Sequence, residues 1–318
     1  MQEKPRIVFM GTPEFASTIL KKLVDEGFPV LACVTAPDKP AGRGRKIQES
    51  DVKKTATALA LPILQPERLK EEQFIANLKQ LNADIYIVVA FRMLPKEVWE
   101  LPKLGTINLH GSLLPAYRGA APINWAIING ETETGVTTFF INEKIDTGDI
   151  LLQKTIPIVK NETAGSLHDK MMHVGANLVV ETINKLYKEG LTASKQENVN
   201  ANFKPAPKIF KNDCKIDFNK TTKELANFIH GLSPYPGAWL TLVHLPKQQE
   251  KTFKLFECEE VVQKRSEYPK LTIEEDNLIL TWNNGSLKLL AVQLEGKKRL
   301  AVKDFLSGFS PEDWEVKN

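Results

Sequence analysis

The sequence predicts an α/β protein in two parts: a mostly parallel sheet with helices on both faces, followed by a smaller C-terminal β-barrel domain. The chain has 318 residues, about twice the usual size of a domain. Up to about residue 190, continuous apolar runs alternate with amphipathic helical segments, a pattern typical of a parallel sheet that is buried on both faces. Beyond that, short alternating strands are separated by turns.

The first part begins with the apolar run "RIVFMG" and the helical segment "EFASTILKKLVDEG", whose end is marked by Gly27. The runs "PVLACVT", "DIYIVVA" and "TINLH" predict buried strands, and "TGVTTFFI" and "DILLQKTIPI" predict two more. A long helix is expected over 164–190. This order predicts a Rossmann-like domain at residues 1–190.

Polarity rises in "ASKQENVNANFKPAPKIF", where Pro205 and Pro207 favour a linker, placed at 191–208. After it, "TKELANFIHGL" predicts a helix. The segments "AWLTLV", "TFKLFECEEVV", "LTIEEDNLILTW" and "GSLKLLAVQL" predict strands, with one turn at 283–285. We therefore expect an OB-like β-barrel at residues 209–318.

Composition narrows the class of protein. Hydrophobic residues make up 42% of the chain and charged residues 25%, as in an ordinary globular protein. No apolar run reaches the ~18 residues of a membrane span. The start "MQEKPRIVFMG" leads directly into a strand, so we expect no signal peptide, no membrane partner and a cytoplasmic location. Cys33, Cys214 and Cys258 are scattered without CxxC spacing, which favours a reducing compartment and argues against a metal site.

The end of the first strand argues against a nicotinamide enzyme. A dinucleotide-binding sheet would carry G-x-G-x-x-G there, because glycines let the backbone approach a pyrophosphate. In "GTPEF" only Gly11 is present, and Pro13 and Glu14 occupy the turn. In open α/β sheets, ligands still bind outside the carboxyl ends of the strands, and "INLH" ends at such an edge.

Asn108 and His110 are two residues apart on that strand, so they point to the same face. Asp146 lies in a predicted loop within "INEKIDTGDI". Each residue alone is explained as well by a structural role, such as a buried histidine or an Asp-x-Gly turn. Together, with no Cys or Ser in a nucleophile setting, they indicate acyl-group chemistry without a covalent intermediate. Asn and His could donate to a developing oxyanion, while Asp could orient the His or relay a proton through water.

Longer motifs around these residues resemble the folate-dependent formyltransferase family. The strongest are "NLHGSLLPAYRGAAPINWAI" and "IDTGDI", and "MGTPEFA", "PDKPAGRGRK", "LPILQP" and "GVTTFFINEKIDTGDILLQ" extend the match. "KIDF" and "PYPGAW" are similar to the branch that formylates methionyl-tRNA. The resemblance implies transfer of a formyl group from N10-formyl-tetrahydrofolate to the amino group of methionyl initiator tRNA, without a metal. It implies that Asn108, His110 and Asp146 are catalytic, and we expect a monomer.

The same resemblance implies a folate-binding segment formed by Ser112, Leu113, Leu114 and Pro115. An apolar wall suits a flat pteridine, and backbone groups of an irregular loop can bind its polar edge. Many family members read "AYGxILP" after the preceding strand, whereas this chain reads "AFRMLP", one residue shorter and more like the glycinamide ribonucleotide formyltransferases. We expect the pocket shape to be retained, with wall residues Phe91, Met93 and Leu94.

The segment "APDKPAGRGRK" (36–46) is predicted to be an irregular loop, because Pro37 and Pro40 disfavour regular structure and two glycines free the backbone. It follows the second strand and therefore leaves the sheet at the same edge as His110. Cationic side chains there suit tRNA phosphates and an unpaired base. The resemblance points to Arg43, and the predicted tRNA-binding residues are Arg43, Arg45 and Lys46.

Other functions stay open on the sequence alone. The same chemistry on another amine, such as a nucleotide sugar or glycinamide ribonucleotide, or hydrolysis of the formyl-folate, needs no different site. A nucleotide-binding oxidoreductase is disfavoured by the missing glycines. A non-catalytic RNA-binding protein leaves Asn108, His110 and Asp146 unexplained. A barrel of about 100 residues with basic flanks favours tRNA over a small metabolite.

Overall fold

The computed structural model describes residues 4–41, 46–196, 203–261 and 264–317. Two compact units are distinguished by their internal contacts. The α/β unit comprises Met1–Gly119, Thr134–Ile156 and His168–Pro205. The barrel unit comprises Ala120–Glu133, Pro157–Leu167 and Ala206–Asn318. Two segments that precede residue 190 therefore belong to the barrel unit, and the domain boundaries inferred from composition stay a prediction.

Strands and helices lie at the apolar and amphipathic segments singled out in the sequence, and further elements lie between them. The strands are β1 (Ile7–Gly11), β2 (Val30–Val34), β3 (Lys39–Ala41), β4 (Lys46–Gln48), β5 (Ile63–Leu64), β6 (Ile85–Val89), β7 (Thr106–His110), β8 (Glu133–Phe140), β9 (Ile150–Pro157), β10 (Ala238–His244), β11 (Gln249–Glu260), β12 (Lys270–Glu274), β13 (Asn277–Trp282), β14 (Gly285–Leu294), β15 (Leu300–Ala301) and β16 (Trp314–Lys317). The helices are α1 (Glu14–Asp25), α2 (Asp51–Ala58), α3 (Glu72–Leu81), α4 (Lys96–Trp99), α5 (Pro122–Ile128), α6 (Ala164–Glu189), α7 (Thr222–Gly231) and α8 (Val302–Phe305).

The α/β unit is built on a seven-stranded sheet in the order β5-β2-β1-β6-β7-β8-β9. The first five strands of this order pair in parallel, and β8 is antiparallel to β7. The carboxyl ends of β1, β2, β6 and β7 therefore meet at one edge of the sheet. The predicted mostly parallel, Rossmann-like sheet is confirmed.

Both faces of this sheet are covered, as the continuous apolar strands predict. Val8 and Met10 of β1 pack in one cluster with Phe74 and Leu78 of α3. The alternate β1 residues are also fully buried, and α1 contacts the same strand. Burial of each such side chain contributes about 1.5–3 kcal/mol. This core holds the strand ends that carry the site in fixed positions.

The barrel unit contains a second, antiparallel sheet in the order β12-β13-β14-β11-β10-β16, to which β15 adds through β14. Its outer strands β12 and β16 contact one another, so the sheet nearly closes. Trp282 and Phe253 are fully buried in its core. Helix α7 packs against β11 and begins with a capping box, in which the side chains of Thr221 and Glu224 satisfy each other's backbone N–H groups. The predicted barrel is confirmed.

Two local predictions differ from the structure. The segment "LTIEEDNLILTW" forms two strands, β12 and β13, because Glu275 and Asp276 both adopt positive φ (46° and 63°) in a two-residue hairpin turn. The irregular loop predicted at 36–46 is wrong at 39–41 and at 46, which belong to β3 and β4. β3 and β4 form an antiparallel two-stranded ribbon in which Pro40 pairs with Ile47. Proline is tolerated there because a two-stranded ribbon consists of edge strands.

Among the residues that the structure describes, no helix combines the length and the apolar character needed to cross a membrane.

Candidate active site

Several loops leave the α/β sheet at the edge where the parallel strands end. β6 leads into residues 90–95, and β7 ends at His110 and leads into residues 111–119. The loop after β8 begins elsewhere, because β8 runs antiparallel and its Phe140 lies beside Ile107, three residues before His110. That loop, residues 141–149, nevertheless carries Asp146 to His110.

His110 is buried, with 7% of its surface exposed. Its Nε2 lies 2.8 Å from the backbone oxygen of Tyr117. A carbonyl oxygen only accepts, so we assign the proton of the neutral ring to Nε2. Nδ1 lies 3.7 Å from Oδ2 of Asp146. Nδ1 is therefore the nitrogen without a proton in the neutral ring, and it faces the carboxylate.

Asp146 is held in an unusual backbone conformation. Its φ is 54°, in the left-handed region that residues other than glycine seldom adopt. Its Oδ2 accepts a 2.9 Å hydrogen bond from the backbone N–H of Gly119. Two residues later the chain passes so close to the backbone oxygen of Phe140 that a Cβ on Gly148 would lie 1.6 Å from it. Close packing of this kind requires glycine and folds the loop back toward His110.

Asn108 precedes His110 by two residues on β7 and therefore projects on the same face. Its side chain is half-buried, and none of the described residues forms a hydrogen bond with it. The structure thus brings His110 and Asp146 into proximity and places the Asn108 amide beside His110 with its hydrogen-bonding groups available.

The predicted folate-binding segment is fixed by buried hydrogen bonds. Oγ1 of Thr137 donates to the backbone oxygen of Ser112 (2.7 Å) and accepts from the backbone N–H of Leu114 (3.1 Å). Nε2 of Gln153 contacts Thr137 Oγ1 and the backbone oxygen of Leu114, each at 2.9 Å. Ser112 and Leu114 are themselves buried, whereas Leu113 and Pro115 are half-exposed.

The neighbouring segment after β6 also contains both buried and exposed side chains. Leu94 is buried in the core, Phe91 packs against that core while half-exposed, and Met93 is 70% exposed. The guanidinium of Arg92 donates to the backbone oxygens of Pro66 (2.8 Å) and Glu67 (2.9 Å). The shortened "AFRMLP" segment is therefore tied to the loop after β5 by an arginine.

The predicted tRNA-binding residues Arg43 and Arg45 lie outside the described residues. Of Lys46 the structure describes the backbone, which opens strand β4. The base of the ribbon is anchored by Asp38, which pairs with Lys53 and accepts from Gln65 Nε2 at 2.8 Å.

Other chemistries find little support in the part of the chain that the structure describes. All three cysteines are buried and unpaired. Burial raises the pKa of the Cys33 thiol to about 12 and also raises the pKa of Cys258 and of Cys214, so the thiols stay protonated and unreactive. No cluster of three or more His, Cys, Asp or Glu side chains among the described residues could hold a metal ion.

Comparison with known proteins identifies the family of this chain. A family model described as formyl transferase matches residues 5–183, and a model of the formyl transferase C-terminal domain matches residues 208–310. Methionyl-tRNA formyltransferase of Bacteroides fragilis is 49% identical over 312 residues, 97% of this chain and 96% of that protein. The enzyme of Flavobacterium johnsoniae is 50% identical over 312 residues, 98% of each chain. The chain belongs to the methionyl-tRNA formyltransferase family. It is thus an enzyme that transfers a formyl group, as the sequence motifs imply.

More distant structures share the fold of this family. HypX from Aquifex aeolicus, one structure of which contains tetrahydrofolic acid, superposes with a TM-score of 0.65 at 17% identity over 96% of this chain and 47% of that one. WlaRD, a sugar 3N-formyl transferase, gives a TM-score of 0.62 at 20% identity over 93% of this chain and all of its own. At these identities the likeness establishes the fold of the formyltransferase and not its acceptor.

Proposed function

We propose that this formyltransferase moves the formyl group of N10-formyl-tetrahydrofolate to the amino group of methionyl initiator tRNA, for translation initiation, and that Asn108, His110 and Asp146 carry the reaction. The observation that carries the chemistry is the pairing of His110 Nδ1 with Asp146 Oδ2 at 3.7 Å, while Nε2 is held by a carbonyl. The acceptor is supported by relatives about half identical over nearly the whole chain.

The three side chains suit the charges that develop during formyl transfer. The amide of Asn108 and a protonated Nδ1 of His110 donate hydrogen bonds to the formyl oxygen as it becomes negative. Asp146 accepts, through water, the proton that the attacking amine loses as its bond to the formyl carbon forms. A proton returned from this pair to N10 of the folate allows the old carbon–nitrogen bond to break, so that one proton is taken and one is given.

The two loops after β6 and β7 fit a flat, partly apolar donor. Their half-exposed or exposed side chains Phe91, Met93, Leu113 and Pro115 would contact the pteridine and its linker. The buried Ser112, Leu114 and Leu94 would act indirectly, by fixing the backbone that those side chains depend on. The donor is a co-substrate in this proposal, and no metal takes part.

The tRNA would be bound by the segment that carries Arg43, Arg45 and Lys46 and by the barrel unit. The described residues before this segment leave the sheet after β2, at the edge where His110 ends β7. Cationic side chains there would bind acceptor-stem phosphates. We further propose that the enzyme acts in the cytoplasm as a monomer.

The decisive experiment supplies formyl-tetrahydrofolate with one acceptor at a time and measures the formylated product. Methionyl initiator tRNA should be formylated, and formyl-methionine should be recovered after deacylation. Methionyl elongator tRNA, a nucleotide-linked amino sugar, glycinamide ribonucleotide and water are the competing acceptors. Faster transfer to any of these would assign the site to the corresponding alternative. The His110→Ala variant, purified in parallel, measures any activity that a contaminating enzyme contributes.

A further inference from the structure

Gln196 connects the two loops that surround the proposed catalytic pair. It follows helix α6 in the segment predicted to be a linker, and it is half-buried. Its Oε1 accepts hydrogen bonds from Arg118 Nε (3.1 Å) and Nη2 (2.5 Å). Its Nε2 donates to the backbone oxygens of Asp146 (3.0 Å) and Gly148 (2.7 Å). Both donors and both acceptor sites of the amide are therefore used.

The Asp146 end of this connection stabilises a loop that the backbone alone disfavours. The loop starts at the level of Ile107, returns to His110 and places Asp146 at positive φ. Such conformations persist only where the surroundings fix them by several contacts. Gln196 supplies two of these contacts, one on each side of Thr147.

The Arg118 end stabilises the partner loop. Arg118 lies between Tyr117, whose carbonyl contacts His110, and Gly119, whose N–H binds the Asp146 carboxylate. Fixing the Arg118 side chain therefore fixes a tripeptide that contacts both members of the pair. The hydrogen bonds form a closed circuit from Gln196 through residues 118–119 to Asp146 and back.

Gln196 also provides the oxygen that the Arg118 guanidinium binds. Partial burial lowers the pKa of Arg118, and the nearby charge of Asp146 opposes that change. Among the described residues, Arg118 forms hydrogen bonds with Gln196 and none with the Asp146 carboxylate. Without the Gln196 oxygen, the guanidinium would be free to form a charge-assisted pair with Asp146, and that carboxylate would then be less available to His110 or to water.

We infer that Gln196 is a positioning residue for formyl transfer, which holds Asp146 toward His110 and keeps Arg118 off the carboxylate. The inference rests on the proposed function, since Asp146 is assigned its role there. The residue type matters because an amide donates and accepts at once. Glutamate would retain the contact with Arg118 but would turn acceptors toward two carbonyl oxygens, and methionine would make neither set of hydrogen bonds.

The test compares the kinetics of Gln196→Met and Gln196→Glu with those of Gln73→Met. Gln73 is an exposed glutamine on α3 that bonds Asn77, and its replacement should leave the kinetics unchanged. Displacement of a catalytic group by about 1 Å costs roughly 100-fold, so both Gln196 variants should lose about 10- to 100-fold in kcat. KM for the formyl donor should change by less than about threefold, because the folate-binding segment has separate anchors. Unchanged kcat in the Met variant overturns the inference.

A double-mutant cycle with Asp146→Asn separates positioning from general support of the fold. If Gln196 acts through Asp146, Gln196→Met should lose most of its effect on kcat in the Asp146→Asn background. An equal loss in both backgrounds overturns the inference and leaves the proposed function intact. Full activity of Asp146→Asn alone instead overturns the catalytic role of Asp146. If Gln196→Met does not fold, Gln196→Glu, which retains its bonds to Arg118, gives the same comparison.

Discussion

Two histidines are buried at the ends of two elements, and they are held in opposite ways. His110 ends β7 in the α/β unit, and His230 lies in the last turn of α7 in the barrel unit, with 7% and 4% of their surfaces exposed. Nε2 of His110 donates to a carbonyl, which leaves Nδ1 facing Asp146. Nε2 of His230 accepts the backbone N–H of Cys258 at 3.2 Å, and burial lowers the pKa of His230.

Burial is common to both rings and does not distinguish them, whereas the groups opposite the ring nitrogens do. His110 has a carbonyl opposite one ring nitrogen and a carboxylate opposite the other. Burial in an apolar core lowers the pKa of His230, and its Nε2 accepts an N–H where Nε2 of His110 donates to a carbonyl. The first arrangement is the one proposed to serve catalysis, and the second satisfies a buried backbone donor.

The largest expected effect is the loss of activity in His110→Ala set against its retention in His230→Ala. Removing a group that stabilises the developing charge or moves the proton should lower kcat of His110→Ala by about 10²- to 10⁴-fold. His230→Ala should instead destabilise the protein by roughly 2–4 kcal/mol, because it leaves a cavity and an unpaired N–H on Cys258. Steady-state kinetics and denaturant unfolding of both variants measure the two effects.

Similar behaviour of the two variants would contradict the distinction between His110 and His230. A His110→Ala protein that lost stability, and lost activity only in proportion, would make His110 a second structural histidine. Asn108→Ala, on the same face of β7, provides a further check, since its loss should fall in the same kinetic range without loss of the fold.

The sequence predicted most of the fold because strands buried on both faces require continuous apolar runs. The runs of β1, β2, β6 and β7 lie where they were expected. Composition alone could not locate the ends of the ribbon formed by β3 and β4. Its pairing depends on three residues a side, and its proline is tolerated because no third strand pairs with it among the described residues.

The catalytic candidates were visible in the sequence, but their supports were not. Asn108 and His110 stand out because polar residues interrupt an apolar strand. Gln196 carries no such signal, because it lies in a polar, proline-rich segment that resembles any linker. Tyr117 and Gly119 act through backbone groups, which the residue type does not reveal. β8 runs antiparallel to β7, so the topology gave no reason to expect the loop after β8 beside His110.

The second largest effect concerns which part of the protein recognises the tRNA. If the segment 36–46 binds the acceptor stem, Arg43→Ala should lower kcat/KM for methionyl initiator tRNA by about 10- to 100-fold, as loss of a charged hydrogen bond implies. It should also reduce the preference for initiator over elongator tRNA, and leave binding of the formyl donor unchanged. Wild-type rates at low and moderate salt would assign tRNA recognition to the barrel unit alone.

A smaller effect is expected at Gln153, which fixes the proposed folate-binding segment as Gln196 fixes the Asp146 loop. Gln153→Met removes the hydrogen bonds to Leu114 and Thr137, worth about 0.5–1.5 kcal/mol each. KM for the formyl donor should therefore rise by roughly 3- to 10-fold, with a smaller change in kcat than in Gln196→Met. A fall in kcat with unchanged KM would mean that the two glutamines support one and the same loop.

The smallest expected effect is the pH dependence of stability that His230 contributes. The ordinary pKa is 6.5, and burial lowers it in the folded protein. Below pH 6.5 the unfolded chain therefore binds more protons than the folded one, and stability falls as pH falls toward the folded pKa. Carboxylates with lowered pKa, such as Asp84 and Glu224, contribute in a separate window, because their stabilisation is lost only as pH falls below their ordinary values of 3.8 and 4.5.

His230→Gln isolates this contribution, because the amide oxygen can still accept the N–H of Cys258 but has no proton to gain. Between pH 7 and pH 5 the Tm of the wild type should fall more steeply than that of His230→Gln. Each pKa unit of difference between the folded and unfolded states corresponds to about 1.4 kcal/mol, so the gap between the two curves measures how strongly the barrel keeps this ring neutral. Parallel curves would show that His230 can be protonated inside the barrel. In that case the contrast with His110 would lie in the carboxylate alone, and Asp146→Asn would be the variant that makes the two histidines equivalent.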